Sequence, residues 1–240
     1  MEVACQTLAA ALKLEGGSLE LATLGFPPCI KSMVSSHSPT VSAPALELLA
    51  AASAHASCRR KITEAGMLSA VVVALQSKFS ELLVNAAKII SNLARDKDMQ
   101  TAVAATGIIP TLIGMLSHPV PVLKRQATIA LGNLSVNDSN EVLIVQHNAL
   151  PPLLHILRDD PLDLARHAAR VLVNLSVATD HKRLLVELQA IPLLCSILAA
   201  PVTELTQIVC RLVANVSCAA DAAEGSCSTH VRSNWARQAA

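Results

Sequence analysis

Asn92, Asn133, Asn174 and Asn215 stand 41 residues apart. Pro110, Pro151 and Pro192 keep the same spacing, and Pro28 falls in their register two periods before Pro110, with Ser69 between. Gly25, Gly66 and Gly107 form a third column, continued by Asn148 and Gln189. Leu112, Leu153 and Leu194 form a fourth, preceded by Ile30 and Val71. No insertion is needed from about residue 15 to 219. Several independent columns at one fixed period mark a repeat architecture. Each unit is too small to bury its apolar surface alone and must stack on its neighbours.

Residues 97–137 show how one unit reads. "KDMQTAVAATG" is a short helical stretch closed by Gly107, a residue suited to a left-handed helix stop. "IIPTLIGMLSH" follows, with Pro110 where a first helical turn tolerates proline and with Leu112, Ile113, Met115 and Leu116 as apolar positions. Pro119 and Pro121 then break the chain before a longer helix. In that helix Leu123, Ala127, Ala130, Leu131 and Leu134 recur at spacings of three and four. The pattern predicts three helices in 41 residues, within the length of armadillo and HEAT units.

Composition narrows the core and the compartment. Apolar residues make up 52% of the 240, yet only Phe26, Phe79 and Trp235 are aromatic. Leu, Val, Ile and Ala must fill the core, which suits closely packed helices rather than sheets. A net charge of +1 gives no field for nucleic acid. The seven cysteines form no C-x-x-C pair, which argues against a disulfide framework or a four-ligand zinc site and for a reducing compartment. The uncharged run from Ala190 to Val202 is too short to span a bilayer. "MEVACQTLAA" carries an acid where a signal peptide needs bases, and it lacks an acylation start.

The stretches "GIIPTLIGMLSHPVPVLKRQATIALGNLSVND" and "ALPPLLHILRDDPLDLARHAARVLVNLSVATD" resemble armadillo repeats. The family pattern is Gly-x-(Ile/Leu)-Pro-x-Leu followed by a long helix ending in Leu-x-Asn-Leu; the first stretch carries all of it, and the second carries it from Ala149 on, with Asn148 in the glycine place. HEAT units use two helices and lack this asparagine. "ALGNLSVNDSNEVLIV" is also similar to armadillo arrays of the vacuolar type and to those of plant U-box proteins. The resemblance implies an all-α fold: a right-handed superhelix, or α-solenoid, of about five three-helix repeats. In this register the armadillo-repeat domain is 15–219, divided into 15–55, 56–96, 97–137, 138–178 and 179–219. The first repeat is degenerate, with Ala51 in the asparagine position. Residues 1–14 read as part of a preceding third helix or an N-terminal cap, and 220–240 as a disordered tail.

The resemblance further implies a concave groove, lined by third helices, that binds extended partners. Spacing alone places neighbours on the face of each asparagine. Asn92 shares its face with Lys88 and Asn85, and Asn133 with Gln126, with Arg125 nearby. Asn174 shares its face with Arg170 and His167, with Arg166 nearby, and Asn215 with Arg211. An asparagine amide offers a donor and an acceptor to a bound backbone, or it can bond neighbouring backbone and organise the solenoid. The import-receptor branch places tryptophan four residues before the asparagine, as a slot for lysine through cation–π contact. Here those positions are Lys88, Ile129, Arg170 and Arg211. This arrangement disfavours basic import signals and suits acidic or phosphorylated segments, as in the catenin-like branch.

Enzyme signatures are absent: no Gly-rich phosphate loop, no H-E-x-x-H, no G-x-S-x-G. His55 and Cys58 lie three apart without an orienting acid, and Cys218, Cys227 and His230 match no zinc spacing. His118, His147, His155 and His181 read as helix-end or loop residues. Asn133-Leu-Ser and Asn137-Asp-Ser are formal glycosylation sequons, but Asn92-Leu-Ala keeps the amide and drops the serine, so the column needs the amide itself. The expected protein is a non-enzymatic scaffold or adaptor for a protein or peptide partner, extended and acidic or phosphorylated. It is expected to need no cofactor or metal, to take no nucleic acid, to insert in no membrane and to work in the cytoplasm and the nucleus. A transport receptor for basic signals and a spacer within a longer array are the alternatives.

Overall fold

The structure is a computed structural model that describes residues 26, 28–36, 38–200 and 204–223, without the side chains of 218–223. Among the described residues every regular element is a helix. Two compact units divide the chain at Asn140 and Glu141. In the first lie α1 (Pro28–Val34), α2 (Pro39–Ser53), α3 (Ala56–Glu64), α4 (Leu68–Ala74), α5 (Ser80–Leu93), α6 (Lys97–Ala105), α7 (Ile109–Met115) and α8 (Pro121–Leu134). Helix α9 (Asp138–Gln146) includes the dividing point. The second unit continues with α10 (Leu150–Asp159), α11 (Leu162–Leu175), α12 (Thr179–Glu187), α13 (Ala190–Leu198) and α14 (Glu204–Ala223). The period is visible in the helix starts. Helices α3, α6, α9 and α12 begin at Ala56, Lys97, Asp138 and Thr179, and α2, α5, α8 and α11 at Pro39, Ser80, Pro121 and Leu162, all 41 apart. The segment 1–14 and most of the proposed tail fall outside the described residues, but α14 runs to Ala223, four residues beyond the boundary expected at 219.

The glycine column is a backbone requirement. Gly66 (φ 63°), Gly107 (φ 72°), Asn148 (φ 62°) and Gln189 (φ 54°) all adopt the left-handed conformation between a first and a second helix. Around Gly107 a Cβ would meet nothing within 4 Å, so conformation and not crowding selects glycine there. Asparagine tolerates this region and glutamine does so less well, at about 1 kcal/mol of strain. Gln189→Gly should therefore raise stability by about 1 kcal/mol and Asn148→Gly by less. Thermal melts of the two variants test this, and an unchanged or lower midpoint for Gln189→Gly contradicts it.

The long helices form the core of each unit. In the first unit α2 packs on α5 and α5 on α8; in the second, α11 packs on α14. One five-position pattern recurs: Leu123, Ala127, Ala130, Leu131 and Leu134 are fully buried in α8, as Leu164, Ala168, Val171, Leu172 and Leu175 are buried in α11. Ala86 and Ala127 occupy the same register position, so little side-chain bulk separates the stacked helices there. The larger residues each stabilise the stack by about 1.5–3 kcal/mol through burial.

The last carbonyls of a helix lack partners within it. Here the following short helix supplies them. Arg59 Nη1 donates to Ser53 O (3.3 Å) and Ala54 O (3.2 Å), at the end of α2. Gln100 Nε2 donates to Ala94 O (3.2 Å), after α5. Asn140 Nδ2 donates to Leu134 O (3.3 Å), in α8. His181 Nδ1 donates towards both Leu175 O (3.1 Å) and Glu141 Oε1 (2.9 Å). Arg59 also makes a two-pronged ion pair with Asp96 through Nε (2.7 Å) and Nη2 (2.9 Å).

Candidate functional site

The asparagine column sits at the penultimate position of α5, α8 and α11, and at the matching place in α14. Each of these side chains is half-buried. Asn92 Nδ2 donates to Ser53 Oγ (3.0 Å), and Ser53 Oγ in turn donates to Ala50 O (2.9 Å). Asn133 Nδ2 donates to Ser91 O (3.1 Å). Asn215 Nδ2 donates to Ser176 Oγ (2.9 Å) and lies 3.5 Å from Val173 O. These acceptors all belong to the end of the preceding long helix. The amides of Asn92, Asn133 and Asn215 therefore help to organise the stack. A committed N–H also fixes which way each amide faces, because Ser91 O can only accept, and Ser53 Oγ and Ser176 Oγ give their own proton to Ala50 O and Val173 O. The Oδ1 atoms of Asn92, Asn133 and Asn215 take no hydrogen bond among the described residues.

The other expected residues divide by environment. Arg170 on α11 and Arg211 on α14 are exposed and form no ion pair among the described residues, while their helices pack together. Lys88 on α5 and Gln126 on α8 are half-buried, and Arg125 on α8 is exposed. His167 is half-buried on α11. Arg166 is engaged by Asp163 (3.4 Å) and by Glu204. Asn85 is 9% exposed and presents little surface to a ligand. The serines that receive the amides, Ser53, Ser91 and Ser176, were not singled out from the sequence. A partial signal exists: Ser53, Ser135 and Ser176 share a register position interrupted by Ala94.

The His55 and Cys58 pair loses its case on geometry, whereas the side chains of Cys218, Cys227 and His230 lie outside the described residues. Cys58 is fully buried, and burial pushes its thiol up, against smaller downward pulls from Ser57 and Arg59. A thiol held protonated is a poor nucleophile. Among the described residues no group of three His, Cys, Asp or Glu could hold a metal ion. One of the histidines does not lie where the sequence placed it: His155 is inside α10, 3.4 Å from Asp159 one turn on. His181, in the first turn of α12, is a capping residue as expected, buried with its Nδ1 on Leu175 O at the end of α11. Asn133 of the first sequon lies inside α8 with its Nδ2 bonded. Asn137 of the second caps α9, its Oδ1 accepting the N–H of Ser139 (3.1 Å) and Asn140 (3.3 Å).

Short and long helices at a 41-residue period, with the long helices α2, α5, α8 and α11 each closed by the next short one, define a repeat protein of the α-solenoid class. The armadillo/beta-catenin-like repeat family matches residues 137–177. A designed armadillo repeat protein superposes with a TM-score of 0.83 at 20% identity, covering 90% of this chain and 92% of that one. Computationally designed armadillo repeat proteins for modular peptide recognition give 0.83 at 21% identity, over 89% of this chain and 92% of theirs. Another designed armadillo repeat protein, in complex with the peptide (KR)4, gives 0.79 at 19% identity, over 90% and 91%. No curated protein sequence matches the chain. Residues 137–177 are thus similar to an armadillo repeat, and the chain has the armadillo fold. Among the described residues no helix is long and apolar enough to cross a membrane.

Proposed function

We propose that the chain is a non-enzymatic scaffold that binds an extended, acidic peptide segment on the faces of its long helices, using Asn92 and Asn133 in the first unit and Asn174 and Asn215 in the second. The observation that carries this reading is the fixed direction of the amides. With one N–H held by the preceding helix, Asn92, Asn133 and Asn215 present an open acceptor for a ligand's backbone N–H. Each such bond contributes a net of about 0.5–1.5 kcal/mol, so useful affinity needs the repetition that the period supplies.

Designed neighbours with this fold support peptide binding as its use, one of them in complex with (KR)4. The charge here argues for the opposite ligand. Arg170 and Arg211 carry uncompensated positive charge on packed helices, and Lys88 holds the same register position. Carboxylates and phosphates meet arginine through short charge-assisted bonds. Cys29, Cys58, Cys195 and Cys210 form no disulfide among the described residues, which fits work in a reducing compartment, the cytoplasm or the nucleus.

Fluorescence anisotropy with two labelled octapeptides tests the reading, one alternating Glu and Ala, the other Lys and Ala. The acidic peptide should bind at least about tenfold more tightly, the worth of one charge-assisted bond. Equal affinities, or a preference for the lysine peptide, would transfer the assignment to a receptor for basic segments.

A further inference from the structure

Ser91 is 2% exposed near the end of α5 and touches two candidate ligand-binding amides of α8 at once. Its carbonyl accepts from Asn133 Nδ2 at 3.1 Å. Its hydroxyl donates to Gln126 Oε1 at 2.7 Å and lies 3.0 Å from Lys88 O. A glutamine amide is ambivalent when free: turned one way it donates, turned the other it accepts. With Oε1 tied to Ser91, the NH2 of Gln126 is the end left over, and it has no partner among the described residues. The half-buried Lys88 lies one turn before Ser91 on α5 and, like Gln126, on the asparagine side of its helix. Its ammonium group is likewise donor-only.

We infer that Ser91 is a positioning residue. It makes Gln126 a donor-only contact which, with Lys88, forms a subsite for a carboxylate side chain of the extended ligand. The inference rests on the peptide reading above and deepens it. Affinity for backbone comes from the asparagine acceptors, whereas discrimination between acidic and basic side chains comes here from the direction of one amide. Without the Ser91 hydroxyl, Gln126 could turn Oε1 outward and receive a lysine as readily as its NH2 serves a glutamate.

The test uses the full chain, the Glu–Ala and Lys–Ala octapeptides, and the variants Ser91→Ala and Gln126→Glu. Ser91→Ala keeps the backbone carbonyl that holds Asn133, so overall binding should persist while the preference for the acidic peptide falls about tenfold. Gln126→Glu should lose the acidic peptide by more than tenfold and gain the lysine peptide. If Ser91→Ala weakens both peptides equally, or leaves their ratio unchanged, the positioning role is overturned. If wild type binds neither peptide, the peptide reading falls and the carboxylate subsite falls with it. The positioning step is still decided by NMR of the free protein. The Gln126 13Cδ resonance should move upfield in Ser91→Ala as its carbonyl loses a hydrogen bond, and an unmoved resonance overturns it.

Discussion

Replacing Arg170 and Arg211 together by glutamate should abolish measurable binding of an acidic octapeptide, a loss of more than 100-fold. The two guanidinium groups are exposed on α11 and α14 and are spent on no ion pair among the described residues. Hydrogen bonds to charged groups contribute about 1.5–3 kcal/mol each, so losing two costs about 3–6 kcal/mol. Every 1.4 kcal/mol is about a factor of ten in affinity. Reversal adds repulsion to the loss of attraction, and that part should fade as salt rises, because exposed charges are screened over about 8 Å at physiological ionic strength. The fold should be indifferent, since surface substitutions of this kind stay within about 0.5 kcal/mol. A double variant that keeps its urea midpoint and still binds the acidic peptide within twofold of wild type would remove the ligand from this face.

Arg59→Ala should be the most damaging single substitution outside the apolar core. The change removes the two-pronged pair with Asp96 and leaves the carbonyls of Ser53 and Ala54 unmet. Breaking a buried pair costs about 3–5 kcal/mol; the low end applies here because Asp96 keeps 32% of its side chain in water. The cation also sits at the negative end of the α2 dipole, which it offsets. Asp96→Asn alone should cost less, because it leaves the Arg59 bonds to the helix end intact. Urea unfolding gives the global cost, and amide exchange at residues 54–58 should rise first. An Arg59→Ala midpoint equal to that of Asp96→Asn would show that the carbonyl contacts contribute nothing.

The period carried most of the architecture because it is written in residues whose jobs are local. A left-handed stop needs Gly66 or Gly107, a helix start accepts Pro110 or Pro121, and stacking needs Leu131 and Leu134 on one face. The helix caps were invisible for a physical reason. Arg59 and Gln100 share one register position, while Asn140 and His181 share the position before it. Four residue types at two adjacent places form no column, although all reach a carbonyl at the end of a long helix. Polarity of the site was half legible. Spacing brought Asn133 and Gln126 to one face, but only the bonds to Ser91 tell which end of each amide points outward. Nor could spacing separate Arg166, engaged by Asp163 and Glu204, from Arg170.

The closure of each long helix by its successor changes what should be treated as a transferable module. A graft cut at the sequence register, such as 97–137, would carry Asn133 away from Asn140, the residue that seals Leu134 O. Cut instead before a long helix, as in 80–120, the piece takes α5, the Gln100 that closes it and the whole of α6 and α7. Recombining repeats from arrays of this kind should therefore succeed with the offset cassette, where the column asparagine and the seal of its helix are inherited as one.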